Sequence, residues 1–193
     1  MSHMKMEFIV PRLSDALGAA ITGIDLSQDL DPDTVAALRR AWCDNLILVF
    51  PGQKLSEAEQ ETFCRHFGEL ELVRSAAKNN DHPYTLMITN VKDTGLQTAL
   101  EDGEMQFHYD QCYYERPCDG STLYAMELPK SGGNTLFANC YAAYENLSDD
   151  LKCRIDGARA LNYYDYGGHP TLRPEILKPD APQWVHPVVR THP

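Results

Sequence analysis

The sequence predicts a β-rich α+β domain whose helices gather towards the N-terminus. Two patterns carry that expectation: a helix, strand and helix in succession early in the chain, and short strand-like runs separated by turn residues from Tyr84 onward. A third observation sets the scale, because 193 residues with 43% hydrophobic side chains suffice to bury one good core.

The stretch DPDTVAALRRAWCDN opens with Asp31 as an N-cap and Pro32 at the first helical position, where a missing N–H leaves no bond unmade. Val35, Leu38 and Trp42 then recur three and four residues apart, which places them on one face of an amphipathic helix. LILVF, residues 46–50, is an apolar pentad of strand length closed by Pro51 and Gly52, and it reads as a buried strand. Ser56 and Glu59 have capping-box spacing, and Phe63, Cys64 and Phe67 share a face before Gly68 ends a second short helix.

Beyond this, YTLMITNV, MQFHYD, GSTLYAMEL, NTLFA, ARALNYY and WVHPVVR read as strands of a sandwich, barrel or jelly roll rather than of a parallel doubly wound sheet. Helical interruptions are expected at residues 141–147 and 149–155. The Pro- and Gly-rich loop at residues 167–182 has the length of a lid or a disordered segment. MSHM, residues 1–4, reads as a cloning remnant, leaving one domain over residues 5–193.

Charge restricts the partners. With 28 acidic against 17 basic residues the net charge is −11, a field that repels phosphate backbones and anionic lipid, so neither nucleic acid nor a membrane is expected as a partner. No run approaches the roughly 18 apolar residues of a spanning helix, and residues 1–8 contain no apolar core of a secretory signal. A cytoplasmic protein is expected. The six cysteines include no CxxC pair and are read as reduced, structural thiols.

Chemistry enters with FHYDQCYYERP, residues 107–117. Side chains at i and i+2 of a strand share a face, so His108 and Asp110 can converge while Tyr109 turns away. A neutral imidazole and a carboxylate supply two corners of the 2-His-1-carboxylate arrangement that holds non-haem Fe(II) and leaves positions open for substrate and oxygen. An HxD taken alone is a weak signal; Phe107 before it and the apolar run at residues 120–128 after it place His108 near a core.

With GAAITGIDLSQDL, LILVFPGQ, FCRHFGELE, YAMELPKSGGNTLFAN, AAYENLSDDLKCRIDGARA and HPVVRTHP in order around that element, the chain resembles the taurine dioxygenase/phenoxyacetate dioxygenase (TauD/TfdA) family of Fe(II)- and 2-oxoglutarate-dependent oxygenases. The resemblance implies a double-stranded β-helix, or jelly roll. It implies His108 and Asp110 as the first two iron ligands, and Thr135 of GGNT in contact with the distal carboxylate of 2-oxoglutarate, with Asn134 where the family carries aspartate. In the family, the element matching HPVVRTHP, residues 186–193, is followed by a stretch bearing the distal histidine ligand and an arginine clamp. The sequence stops at Pro193, so the jelly roll is expected to be incomplete at its C-terminal end. His186 and His192 match a different part of the pattern and are read as structural, as is Arg190; His66, His82 and His169 are assigned no role.

The implied reaction takes O₂ and 2-oxoglutarate to succinate and CO₂ while hydroxylating a C–H bond of a small-molecule substrate, and retention of Asp110 favours hydroxylation over halogenation. Glu104, four residues before the first ligand, would repel an anionic head group and argues against taurine itself. Arg74 and Lys78 could receive a carboxylate, and Tyr109, Tyr113 and Tyr114 offer aromatic surface, with core packing the first expectation for the tyrosines. Two other readings stay open: a jelly-roll enzyme of another divalent metal, and a non-catalytic fragment whose uncovered strand edges would pair with another copy as a homo-oligomer.

Overall fold

A computed structural model of the chain describes residues 8–73, 81–89, 107–164 and 180–192. They belong to two compact units, one built from residues up to 105 together with 124–139, the other from 106–123 together with 140–193.

The first unit holds the hydrophobic core. Strand β1 (Ala19–Ala20) pairs in parallel with β2 (Leu48–Val49), and helix α1 (Pro32–Asn45) connects them. Asp31 caps α1 by accepting the N–H groups of Asp33 and Thr34, as its sequence position predicts. Leu38 and Ala41 bury against Ile21, Ile24, Leu26, Leu30 and Phe63. At the C-terminus of α1, Leu46 adopts φ 67°, unusual for a branched residue, and its N–H bonds to the Trp42 carbonyl. That turn redirects the chain into β2. The apolar pentad is only half-buried, with Val49 43% exposed, because one face of the two-stranded pair packs on α1 and the other is uncovered.

Helix α2 (Glu57–Arg65) begins with the expected capping box. Glu59 accepts the Ser56 N–H at 2.7 Å, and Ser56 Oγ accepts the Glu59 N–H at 3.3 Å. Phe63 joins Phe50 and Phe67 edge-to-face at 5.4 and 5.2 Å, which fastens α2 to the core. Two long-range side chains tie the connecting segments: Gln53 bridges the Ile24 carbonyl and the Leu26 N–H, both at 2.9 Å, and Tyr124 Oη accepts the Leu55 N–H at 3.1 Å.

In the second unit, α3 (Cys140–Glu145) leads into α4 (Asp149–Ile155), capped by Ser148. Then β3 (Arg159–Tyr163) pairs antiparallel with β4 (Gln183–Pro187) in the register Leu161 opposite Val185. Two of the six expected strand runs thus form a ladder. The others do not among the described residues: 84–89, 107–110, 120–128 and 134–138 form no named strand. A strand exists only where another backbone offers the alternating donors and acceptors it needs, and among the described residues these runs form no ladder, Leu86 alone standing in a single bridge. Many of their apolar side chains stay in solvent, with Leu123 67%, Met126 70%, Leu128 79% and Leu136 71% exposed, while Leu86, Met87 and Tyr124 are partly buried. Most of the Pro- and Gly-rich loop at 167–182 lies outside the described residues. No described helix is long and apolar enough to cross a membrane.

Candidate functional site

The segment carrying His108 and Asp110 is a bend at Phe107, two residues without regular structure and a turn from Asp110. Gln111 takes φ 56° and its carbonyl accepts the Tyr114 N–H at 3.0 Å, closing the turn. The expected strand is therefore absent, yet the two side chains meet: His108 Nε2 stands 3.5 Å from Asp110 Oδ1. Both are about half exposed, at 45% and 51%, and Phe107 is 72% exposed. His108 consequently lies on an open face of its unit, not beside a core.

Around Asp110 the structure adds partners that the sequence did not single out. Ser121 donates its hydroxyl to Asp110 Oδ2. Cys118 Sγ lies 3.6 Å from the Asp110 backbone carbonyl and 3.8 Å from Ser121 Oγ. Pro117, in the loop between them, is fully buried, and the loop returns far enough to bring residue 121 onto residue 110. No spacing rule links residues so separated across an irregular loop, so no local sequence signal marks Ser121. Burial pushes the thiols of Cys112 and Cys118 above their ordinary range, which keeps both protonated and poorly nucleophilic. Burial also raises Tyr109, opposed by the nearby Arg190, which hydrogen-bonds to it.

The remaining candidates sort by unit. Thr135 lies in the first unit, exposed, two residues after Gly132 and Gly133 turn the chain at φ 75° and 70°. His186 is buried and donates from Nε2 to the Tyr114 carbonyl at 2.8 Å, and His192 Nε2 donates to the Asp119 carbonyl at 2.9 Å. In each ring the nitrogen that donates to the carbonyl carries the proton, so Nε2 of neither histidine is available as a metal donor. His82 Nδ1 lies 3.2 Å from Glu61. Tyr113 packs against Tyr114 and Tyr164 at 4.8 and 4.5 Å, an aromatic cluster of the kind expected of packing tyrosines. Glu104, Arg74, Lys78 and His169 lie outside the described residues.

A family model described as taurine catabolism dioxygenase TauD, TfdA family matches residues 10–193. The chain belongs to the TauD/TfdA family. Among its relatives, the (S)-phenoxypropionate/alpha-ketoglutarate-dioxygenase of Sphingobium herbicidovorans is 32% identical over 199 residues, 98% of this chain and 68% of that protein. Pentalenolactone F synthase of Streptomyces avermitilis is 33% identical over 198 residues, 92% of this chain and 65% of that protein. The solved structure of a taurine dioxygenase from Burkholderia xenovorans superposes with a TM-score of 0.71 at 26% identity, over 96% of this chain and 59% of that one. The chain spans 59–68% of the length of these three proteins.

TauD/TfdA enzymes use Fe(II) and 2-oxoglutarate. The donor chemistry of the pair fits such a metal: an imidazole nitrogen and a carboxylate oxygen suit a divalent first-row ion. Donors about 2.0–2.2 Å from one ion stand about 3.0–3.5 Å apart, depending on the angle between them. The observed 3.5 Å lies at the upper end of that range. Among the described residues no third His, Cys, Asp or Glu joins the pair to complete a metal-binding group.

Proposed function

We propose that this chain is part of a cytoplasmic Fe(II)/2-oxoglutarate-dependent dioxygenase that hydroxylates a C–H bond of a small organic molecule. The observation that supports it best is the convergence of His108 Nε2 and Asp110 Oδ1 in a chain of this family. His108 and Asp110 would hold the iron. In the family the remaining iron ligand, a histidine, and the arginine that clamps 2-oxoglutarate come after the element that residues 186–193 resemble. The complete fold would be a single jelly-roll domain, in which the runs at 105–110, 120–128 and 134–138 find ladder partners.

When bound, Fe(II) and 2-oxoglutarate supply oxidation of the substrate by O₂, with succinate and CO₂ as co-products. The chain's own residues supply orientation. His108 would offer an imidazole nitrogen and Asp110 a carboxylate oxygen to the ion, and their exposed face would leave room beside them for small molecules. Thr135 would donate its hydroxyl to the distal carboxylate of 2-oxoglutarate. A small acid bearing an aryl ether, the kind of substrate named for the Sphingobium herbicidovorans relative, is the first to screen.

The test is an anaerobic titration of the full chain with Fe(II) and then 2-oxoglutarate, followed by visible absorption. A saturable charge-transfer band that Asp110→Ala abolishes is expected. Absence of the band from the wild-type protein would overturn the reading.

A further inference from the structure

We infer that Ser121 is a positioning residue that selects which oxygen of Asp110 faces the metal; this rests on the dioxygenase reading above. An aspartate carboxylate has two oxygens and about four lone-pair sites, and can bind an ion through one oxygen or both. Asp110 is half exposed and sits where the chain enters a turn, so packing alone does not fix the rotation about its Cβ–Cγ bond. Ser121 does. Its hydroxyl donates to Oδ2, and the oxygen left over, Oδ1, is the one 3.5 Å from His108 Nε2.

The two contacts divide the carboxylate. A hydrogen bond to an ionised acceptor is roughly twice as strong as one between neutral groups, so the serine holds Oδ2 while Oδ1 remains available. A thiol lies beside the serine. Cys118 Sγ lies 3.8 Å from its oxygen and 3.6 Å from the Asp110 carbonyl, so one half-buried thiol touches both sides of the contact. Pre-ordering the carboxylate removes a rotational entropy that metal binding would otherwise have to overcome. It would also favour ligation through one oxygen over ligation through both.

The experiment measures Mn(II) affinity by EPR titration of the full chain as wild type, Ser121→Ala and Ser121→Thr, with thermal unfolding of each protein free of metal. Removing a partner of a metal ligand typically weakens the metal by about 10- to 100-fold. Ser121→Ala is expected to fall in that range, Ser121→Thr to return towards wild type, and the metal-free unfolding midpoints to agree. Equal affinity of Ser121→Ala and wild type would overturn the inference and leave the dioxygenase reading intact. A loss matched by a lower metal-free midpoint, or not restored by threonine, would make Ser121 merely structural and overturn it too. A wild-type chain with no affinity for Mn(II) would remove the underlying reading and this one together.

Discussion

Leucine-to-alanine replacement at two positions separates a core that the chain possesses from apolar surface that it leaves in water. Leu38 lies on the inner face of α1 at 0% exposure, among Ile21, Ile24, Leu26, Leu30 and Phe63, whereas Leu128 is 79% exposed. The same three carbons are removed in each case. At about 0.8 kcal/mol per buried carbon the transfer loss at Leu38 is about 2.4 kcal/mol. The residual cavity raises it, because two-residue strands and a capped helix can collapse only partly into the space, giving about 3–4 kcal/mol. At Leu128 almost no transfer is lost, and the change should stay within about 0.5 kcal/mol. Urea unfolding followed by far-UV circular dichroism reads both, helped by the fluorescence of Trp42, which is packed on Phe67 at 5.6 Å. With a slope of about 2 kcal/mol per molar urea, Leu38→Ala should lower the midpoint by about 1.5–2 M. A midpoint shift below about 0.5 M for Leu38→Ala would refute the placement of the core. A Leu128→Ala protein as damaged as Leu38→Ala would show that the run at 120–128 is covered, and the exposed surface described above would be wrong.

Three other outcomes follow from single contacts. Hydrogen bonds from the Thr34 hydroxyl and backbone N–H hold the Asp31 carboxyl below its ordinary value of 3.8. A depressed folded value means that its stabilisation of α1 is present above the unfolded value and lost as pH falls through the folded one. Asp31→Asn keeps a capping side chain but does not titrate, so its acid unfolding below about pH 4 should be shallower, and an unchanged acid limb in circular dichroism would count against the cap. Gly132 at φ 75° has open space where a methyl would stand, whereas at Gly133, φ 70°, that methyl would lie 3.1 Å from Pro129 Cγ. Gly132→Ala should therefore lose about 1 kcal/mol and Gly133→Ala more, and a Gly133→Ala protein with the wild-type melting temperature would disprove the close approach. Finally, Cys43, Cys140 and Cys153 are exposed while burial raises the thiols of Cys112 and Cys118, so maleimide at mildly alkaline pH should label the first three before the other two. Peptide mapping that finds Cys118 among the earliest sites would contradict this.

What the sequence made legible was local. Asp31 with Pro32, and Ser56 with Glu59, announce helix starts because a cap satisfies donors within three residues, and both appear where expected. The α4 boundaries at Asp149–Ile155 match for the same reason, with Ser148 accepting the Leu151 N–H. Ladders are different. ARALNYY and WVHPVVR pair across about two dozen residues, but GSTLYAMEL and NTLFA, with the same texture, form no strand among the described residues. Alternating apolar residues state a preference for an extended chain; whether a partner backbone lies alongside is a non-local fact that the run cannot encode.

The candidate site shows the same division at the scale of single side chains. His108 and Asp110 were picked out by the two-residue repeat of a strand, and they do converge, but without that strand. One intervening residue is few enough that a bend and a turn can deliver the geometry a strand would have given. Ser121 reaches Asp110 only because the loop that contains buried Pro117 returns to it, and nothing in GSTLYAMEL distinguishes its hydroxyl from any other exposed serine. The proposed metal site therefore divides by sequence distance: its donor pair is a property of a tripeptide, whereas the group proposed to aim it is a property of the fold. A substitution tolerated at the tripeptide's flanks can still disable the pair if it moves the return of the loop, and the difference between Ser121→Ala and Ser121→Thr measures that dependence directly.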